Sequence, residues 1–300
     1  MTIKSEIPAV AVVPYGKWST LKLASTCLDQ LEWPIGRPQR LMKGTISDLR
    51  SDDNLITFPR KPVFFLPRFG VKAKISIMIV EPQAVHKIYM NFSKFLSWRF
   101  YKVLTINEVL LKQIKNGRFF YFGSTFIKNI HKKNIHKNKL ASIIASARRS
   151  LEGHKLRHEI IEHIRNTNTN TNINIMGRGY KPFEHKEDGL IDYQYSIIIE
   201  NVREKDYFTE KLVDACLCET IPIYWGAPNI SDYFDPRGLI ICNSIEDIKN
   251  ALNQMSTSDY NSRIKWINKN KKSALYHADY IKRAAELIRD SLTENNNKFK

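Results

Sequence analysis

Residues 193–233, YQYSIIIENVREKDYFTEKLVDACLCETIPIYWGAPNISDY, restrict this chain to few folds. They set a β-branched run, a polar loop, an amphipathic helical pattern and a second apolar run in close succession. Residues 195–199 suit a buried strand, 209–219 place Leu212, Val213, Cys216 and Leu217 on one helical face, and 221–225 read as the next strand. Strand, helix and strand at this spacing make a βαβ unit, and ligands of such units collect where the first strand ends and the helix begins.

The polar side chains of the segment gather at that junction. Glu200, Asn201, Tyr207, Glu210 and Lys211 all fall on the loop or in the first helical turn. A helix start offers unpaired N–H groups and partial positive charge, so a diphosphate is expected to settle there, with Lys211 as counterion and Glu210 on ribose hydroxyls. Taken singly, these residues read more readily as a dipole-favouring glutamate, a solvated lysine and a packing tyrosine. Their clustering is what points to a site.

The rest of the chain alternates short apolar runs with helical patterns, as an α/β protein should. Strands are expected at 9–13, 64–66, 75–80, 101–105 and 118–122, with a helix at 108–115. Glu81 directly follows the strongest of these runs and Pro82 turns the chain away, so a carboxylate stands at the open end of a sheet, where it can accept a proton. His86, Glu108 and Asp48 are alternatives for that role. Further on, 140–144 reads as a strand, and Leu156, Ile160, Ile161 and Ile164 mark a helix with Arg157 near its start. A guanidinium fork can bond two phosphate oxygens at once, and Arg148, Arg149 and His154 are alternative anion ligands. Residues 166–174, NTNTNTNIN, are a low-complexity loop; 173–176 then give a brief strand before Gly177-Arg178-Gly179. A helix is expected at 244–252, capped by Ser244 with Asp247 three residues on, and one long helix at 264–292.

The run ENVREKDYFTEKLVDA followed by IPIYWGAPNISDYF resembles the C-terminal signature of the family 10 glycosyltransferases, the α-1,3/1,4-fucosyltransferases. The resemblance is strongest over residues 140–250, and the charged spacer VREKD departs from the family pattern. It implies an α/β fold of the GT-B type, two Rossmann-like domains facing across a cleft, and transfer of L-fucose from GDP-fucose to a glycan hydroxyl by single displacement with inversion. It also implies site roles. Glu81 would be the catalytic base; Arg157 and Lys211 would grip the diphosphate; Glu200, Asn201, Tyr207 and Glu210 would complete the donor site. No Asp-x-Asp pair stands at a strand end, so no obligatory metal is expected, and no cofactor besides the donor substrate. A GT-B transferase using another nucleotide sugar, or a basic binding protein of the same fold without catalysis, are the competing readings.

Three hundred residues with 43% apolar content suit two domains. The expected division is 1–138 on the acceptor side, 139–270 on the nucleotide-sugar side, and 271–300 as a C-terminal helix and frayed tail. The four cysteines, Cys27, Cys216, Cys218 and Cys242, show no metal-ligand spacing and read as buried thiols. A net charge of +17 suits attraction of a nucleotide sugar, and it also admits peripheral contact with an anionic membrane. Nucleic acid is not an expected partner, because no zinc finger, RNP-type signature or recognition helix accompanies the charge. The first thirty residues lack a basic-then-apolar leader and no long apolar run follows, so a soluble, cytoplasmic protein is expected, unlike the anchored Golgi members of the resembled family.

Overall fold

The computed structural model describes residues 7–17, 22–167 and 172–297. Two compact units contain them: Met1–Tyr121 with Tyr280–Lys300, and Phe122–Asp279. Residues 168–171 of the Asn/Thr segment and 298–300 of the basic tail lie outside the described residues.

In the first unit, β1 (Val10–Val12), β2 (Asn54–Thr57), β3 (Lys74–Ile79), β4 (Val103–Thr105) and β5 (Gly117–Phe119) pair in chain order, all parallel. Helices α1 (Lys61–Phe65), α2 (Gln83–Leu96) and α3 (Glu108–Gln113) make the crossovers. The expected strand at 64–66 is instead the end of α1. Pro62 in its first turn, with no N–H to donate, starts a helix there and carries Phe64 into the core.

The second unit runs β6 (Lys139–Ile144), α4 (Glu152–Asn166), β7 (Ile173–Met176), β8 (Tyr193–Ile199), α5 (Glu210–Leu217), β9 (Ile221–Trp225), β10 (Ile240–Ile241), α6 (Ile245–Gln254), α7 (Thr257–Ser262) and α8 (Ile264–Ala278). Its sheet has the order β10-β9-β8-β6-β7, all parallel. Every residue of β8 is buried, as a parallel strand covered on both faces requires, which is why its sequence reads as a continuous apolar run. The chain leaves β6 toward β7 on one side and returns to β8 on the other, so the order reverses between β6 and β8. Such a reversal opens a crevice at the C-terminal strand ends.

Two helical expectations meet different outcomes. Ser244 and Asp247 form a full capping box, each side chain bonding the other's backbone N–H. The single helix expected over 264–292 breaks at Asp279 into α8 and α9 (Tyr280–Asn297). α9 belongs to the first unit: Ala284, Ala285, Ile288 and Leu292 are buried, the helix packs on β1, and the Tyr101 hydroxyl donates to Ser291 O at 2.9 Å.

Candidate active site

The crevice predicted by the strand order is a cavity of about 750 Å³ in the second unit, within the usual range for a small-ligand site. Its walls come from the ends of β6 and β7 and the first turns of α4 and α5. Close backbone approach makes this geometry. A Cβ on Gly153 would lie 1.7 Å from Glu200 O, so only glycine lets α4 begin against the end of β8, where Gly153 N donates to Asn201 O at 3.0 Å. Gly177, at φ +113°, has Ala145 O 2.1 Å from where a Cβ would stand, so the ends of β6 and β7 also meet without side-chain spacing.

Arg157 is buried, and its guanidinium is aimed along the end of β8. Nε and Nη2 donate to Ile199 O at 3.0 and 2.5 Å, and Nη2 donates to Asn201 Oδ1 at 3.1 Å. Three of its five N–H groups are thereby used, and Nη1 carries no bond among the described residues. Burial lowers its pKa from the ordinary value, with Glu200 and Glu210 opposing that shift. Guanidinium still remains charged at any physiological pH.

Glu200 and Lys211 form the base of the site. Glu200 is wholly buried; its Oε1 accepts from Thr209 N at 2.8 Å, and its Oε2 accepts from Thr209 Oγ1 at 2.8 Å and Lys211 Nζ at 3.4 Å. Lys211 Nζ also donates to Thr209 Oγ1 at 3.0 Å and Glu210 Oε1 at 3.2 Å. Burial alone would depress the lysine, but the two carboxylates outweigh it and raise its pKa. Burial likewise favours neutral Glu210, yet Lys211 and Lys186 hold its carboxyl below the ordinary value. Both groups are therefore ionised, and Thr209 caps the helix they start.

The loop between β8 and α5 is held at a second point. Asp206 adopts a left-handed φ of 63°; its N–H donates to Asn229 Oδ1 at 2.9 Å, and its Oδ1 accepts from Asn229 Nδ2 and the Tyr233 hydroxyl, each at 2.6 Å. Asn229 and Tyr233 belong to the GAPNISDY part of the signature, so that half of the motif fixes the loop from below.

Of the residues expected from sequence, Arg157, Asn201, Glu210 and Lys211 line one cavity. Glu200 and Tyr207 are not among its lining residues: Glu200 lies beneath, ordering the loop, and Tyr207 is buried. Glu81 belongs to the first unit, two residues past β3. Of its alternatives, Asp48 accepts from Thr45 N at 2.8 Å in a capping box, Glu108 sits in the first turn of α3, and His86 is buried with its pKa pushed down to about 4. Arg148 and His154 also line the cavity. His154 Nδ1 accepts from Leu151 N at 3.2 Å, and burial, with Arg157 and Arg148 nearby, keeps the ring neutral by lowering its pKa.

Sequence reasoning missed Lys186. It lines the cavity from a short 3-10 turn and has no hydrogen-bond partner among the described residues. Burial lowers its pKa, opposed by Glu210 and Asp214. Nothing in its sequence surroundings, PFEHKED, marks it. Altogether Arg148, Arg157, Arg178, Lys186 and Lys211 face the cavity against one lining carboxylate, Glu210, so an anion there would be strongly favoured. Among the described residues no group of His, Cys, Asp and Glu is arranged to hold a metal, and no helix is long and apolar enough to cross a membrane.

Two parallel α/β units, one with a cationic crevice at its strand-order reversal, define the chain as a GT-B-type protein. Its backbone resembles Anabaena HepE, solved with UDP and glucose, at TM-score 0.56 and 12% identity over 84% of this chain and 79% of that one. Residues 134–293 match the C-terminal domain of glycosyltransferase family 10 (fucosyltransferase), and this chain belongs to that family. It is 36% identical over 67 residues to the Helicobacter pylori alpha-(1,3)-fucosyltransferase FucT, covering 22% of this chain and 13% of that protein. It is 35% identical over 60 residues to an Arabidopsis thaliana alpha-(1,4)-fucosyltransferase, covering 20% and 15%. The aligned segments thus span under a fifth of either relative.

Proposed function

We propose that this chain is an inverting glycosyltransferase that moves L-fucose from GDP-fucose to a hydroxyl of a glycan acceptor. The observation that supports it best is the cationic cavity at the starts of α4 and α5, in a chain whose family is the fucosyltransferases. In this reading the diphosphate lies against Arg157 Nη1, Lys211 and Lys186, and Glu210 takes the ribose hydroxyls. Asn201, held by Arg157, faces the sugar, while Glu200 and Tyr207 keep the loop in place. Glu81 removes the proton of the acceptor hydroxyl as that oxygen attacks the anomeric carbon. GDP leaves from the opposite face, so one displacement inverts the centre. Charge grows on the leaving diphosphate in the transition state, where fixed cations contribute most.

The test is a panel of GDP- and UDP-sugars and free GDP, read by thermal stabilisation and by donor turnover with a glycan acceptor mixture. GDP at a hundred times its Kd should stabilise the protein by about 2.7 kcal/mol, and GDP-fucose should be the sugar consumed. Lys211→Ala and Lys186→Ala should each weaken GDP binding about tenfold or more. Stabilisation by UDP-sugars alone would replace the donor, and no response to any nucleotide would refute the site.

A further inference from the structure

The first unit carries a feature that a nucleotide pocket does not explain: large apolar side chains in solvent on and beside α1 and α2. Phe65, Phe69, Phe95 and Trp98 are 55, 76, 79 and 74% exposed, and Val85 and Ile88 are each 45% exposed. At 100° per residue, Ile88, Phe92 and Phe95 of α2, all past the non-helical backbone at His86, fall within about 60° of one another. Tyr89 and Leu96 lie beside that stripe and pack against the core, as Phe92 does, and Met90 is buried on the far side. The apolar stripe of the helix is therefore wider than the fold covers, and its edge at Ile88 and Phe95 stays exposed.

Contacts tie parts of this exposed surface together. Phe65 packs edge-on against Phe92 at 4.9 Å between centroids. Arg99 Nη2 donates to Leu66 O at 2.7 Å and Arg68 Nη1 donates to Arg99 O at 2.6 Å, so the segment with Phe65 and Phe69 is tied to the turn bearing Trp98. Charge frames it. Lys87 and Lys94 lie about 80–100° beyond Phe95 around α2, and both are exposed. Between residues 54 and 107 the sequence has nine Lys and Arg and one acid, Glu81, and α2 itself has no acidic residue.

We propose that this face seats the protein on an anionic lipid bilayer, with Phe69, Phe95 and Trp98 entering the headgroup–acyl boundary and Lys87 and Lys94 meeting acidic headgroups. Aromatic tips beside lysines, without carboxylates, fit that boundary: the rings lose water, the ammonium groups stay hydrated, and the lipid charge is complementary. An acceptor displayed on a lipid would then be met by a protein already on its surface. The proposal does not draw on the nucleotide cavity, which lies in the other unit.

The full chain is sedimented with vesicles of phosphatidylcholine alone and of phosphatidylcholine mixed with phosphatidylglycerol, at low and high salt. Binding to the mixed vesicles, weakened by salt, is expected. Lys87→Gln with Lys94→Gln should lower partitioning by about tenfold or more, each cation near an anionic surface being worth about fivefold. Phe95→Ser with Trp98→Ser should lower it about a hundredfold. Both pairs change exposed side chains, and a far-UV circular dichroism spectrum and melting curve like those of the wild type certify that the variants are folded. Equal sedimentation of wild type and variants, or no binding to the mixed vesicles at low salt, overturns the proposal. So does a dimer in sedimentation velocity that the Phe95/Trp98 pair abolishes, since the face would then cover a second copy.

Discussion

Replacing Arg157 separates a strut from a ligand. In the folded chain its guanidinium holds Ile199 O and Asn201 Oδ1 and leaves Nη1 for an anion. Arg157→Ala removes charge-assisted bonds to two acceptors at the end of β8. Such bonds contribute about 1.5–3 kcal/mol each, but water from the open cavity can replace part of them, so a net loss of about 2–4 kcal/mol is expected. For a unit of this size, each kcal/mol shifts melting by about 2–4 °C, which puts the drop near 5–15 °C. Loss of the charged Nη1 contact with phosphate should cost GDP a further ~2 kcal/mol, about 30-fold in Kd. Arg157→Lys keeps the charge and loses the fork, so it should melt closer to wild type yet still bind GDP about tenfold more weakly. Melting curves and titration calorimetry with GDP read the two effects independently. If Arg157→Ala melts lower but binds GDP within twofold of wild type, the residue is only a strut and the diphosphate assignment is wrong.

Glu81→Gln should lower turnover by about 10²–10⁴-fold while leaving GDP affinity unchanged; full turnover in that variant would move the base elsewhere. Gly153→Ala forces a Cβ to within 1.7 Å of Glu200 O and should cost about 3 kcal/mol or more in urea unfolding, together with GDP binding. Asp214 gives a pH signature. Burial pushes its carboxyl up to about 7; Oδ1 accepts from Thr125 Oγ1 and Phe126 N, and Oδ2 is unpartnered. A folded-state pKa above the unfolded one means that stability from the protonated form is complete below about pH 4 and lost as pH rises through about 7. Asp214→Asn should therefore flatten the fall in stability between those pH values, measured by denaturant titration; an unchanged pH profile would refute the assignment.

Much of the second unit could be read locally. Residues 195–199 and 221–225 became β8 and β9 because a β-branched run bounded by polar residues has no better use than a covered parallel strand. The Thr209-Glu210-Lys211 start of α5 carried its own cap. In the first unit the signals were weaker. β2, NLIT, is too short and polar-edged to stand out, and the start of α2 is interrupted at His86, whose backbone is non-helical. The Phe64-Phe65 pair suggested a strand, but Pro62 made it helical. Asp214 did leave a trace, a carboxylate amid the buried face of an apolar helix, whereas Lys186 left none.

Chain order alone thus determined the βαβ unit and the residues at its mouth, since backbone propensity, capping and apolar period act over a few positions. Tertiary structure decided the rest. It sent Glu200 beneath the site and Arg157 against Ile199 O, brought Lys186 beside Glu210, and returned α9 to the first sheet. Each of those outcomes depends on which distant backbone groups and charges are left without partners after the sheets close. That is a property of packing, and no window of neighbouring residues contains it.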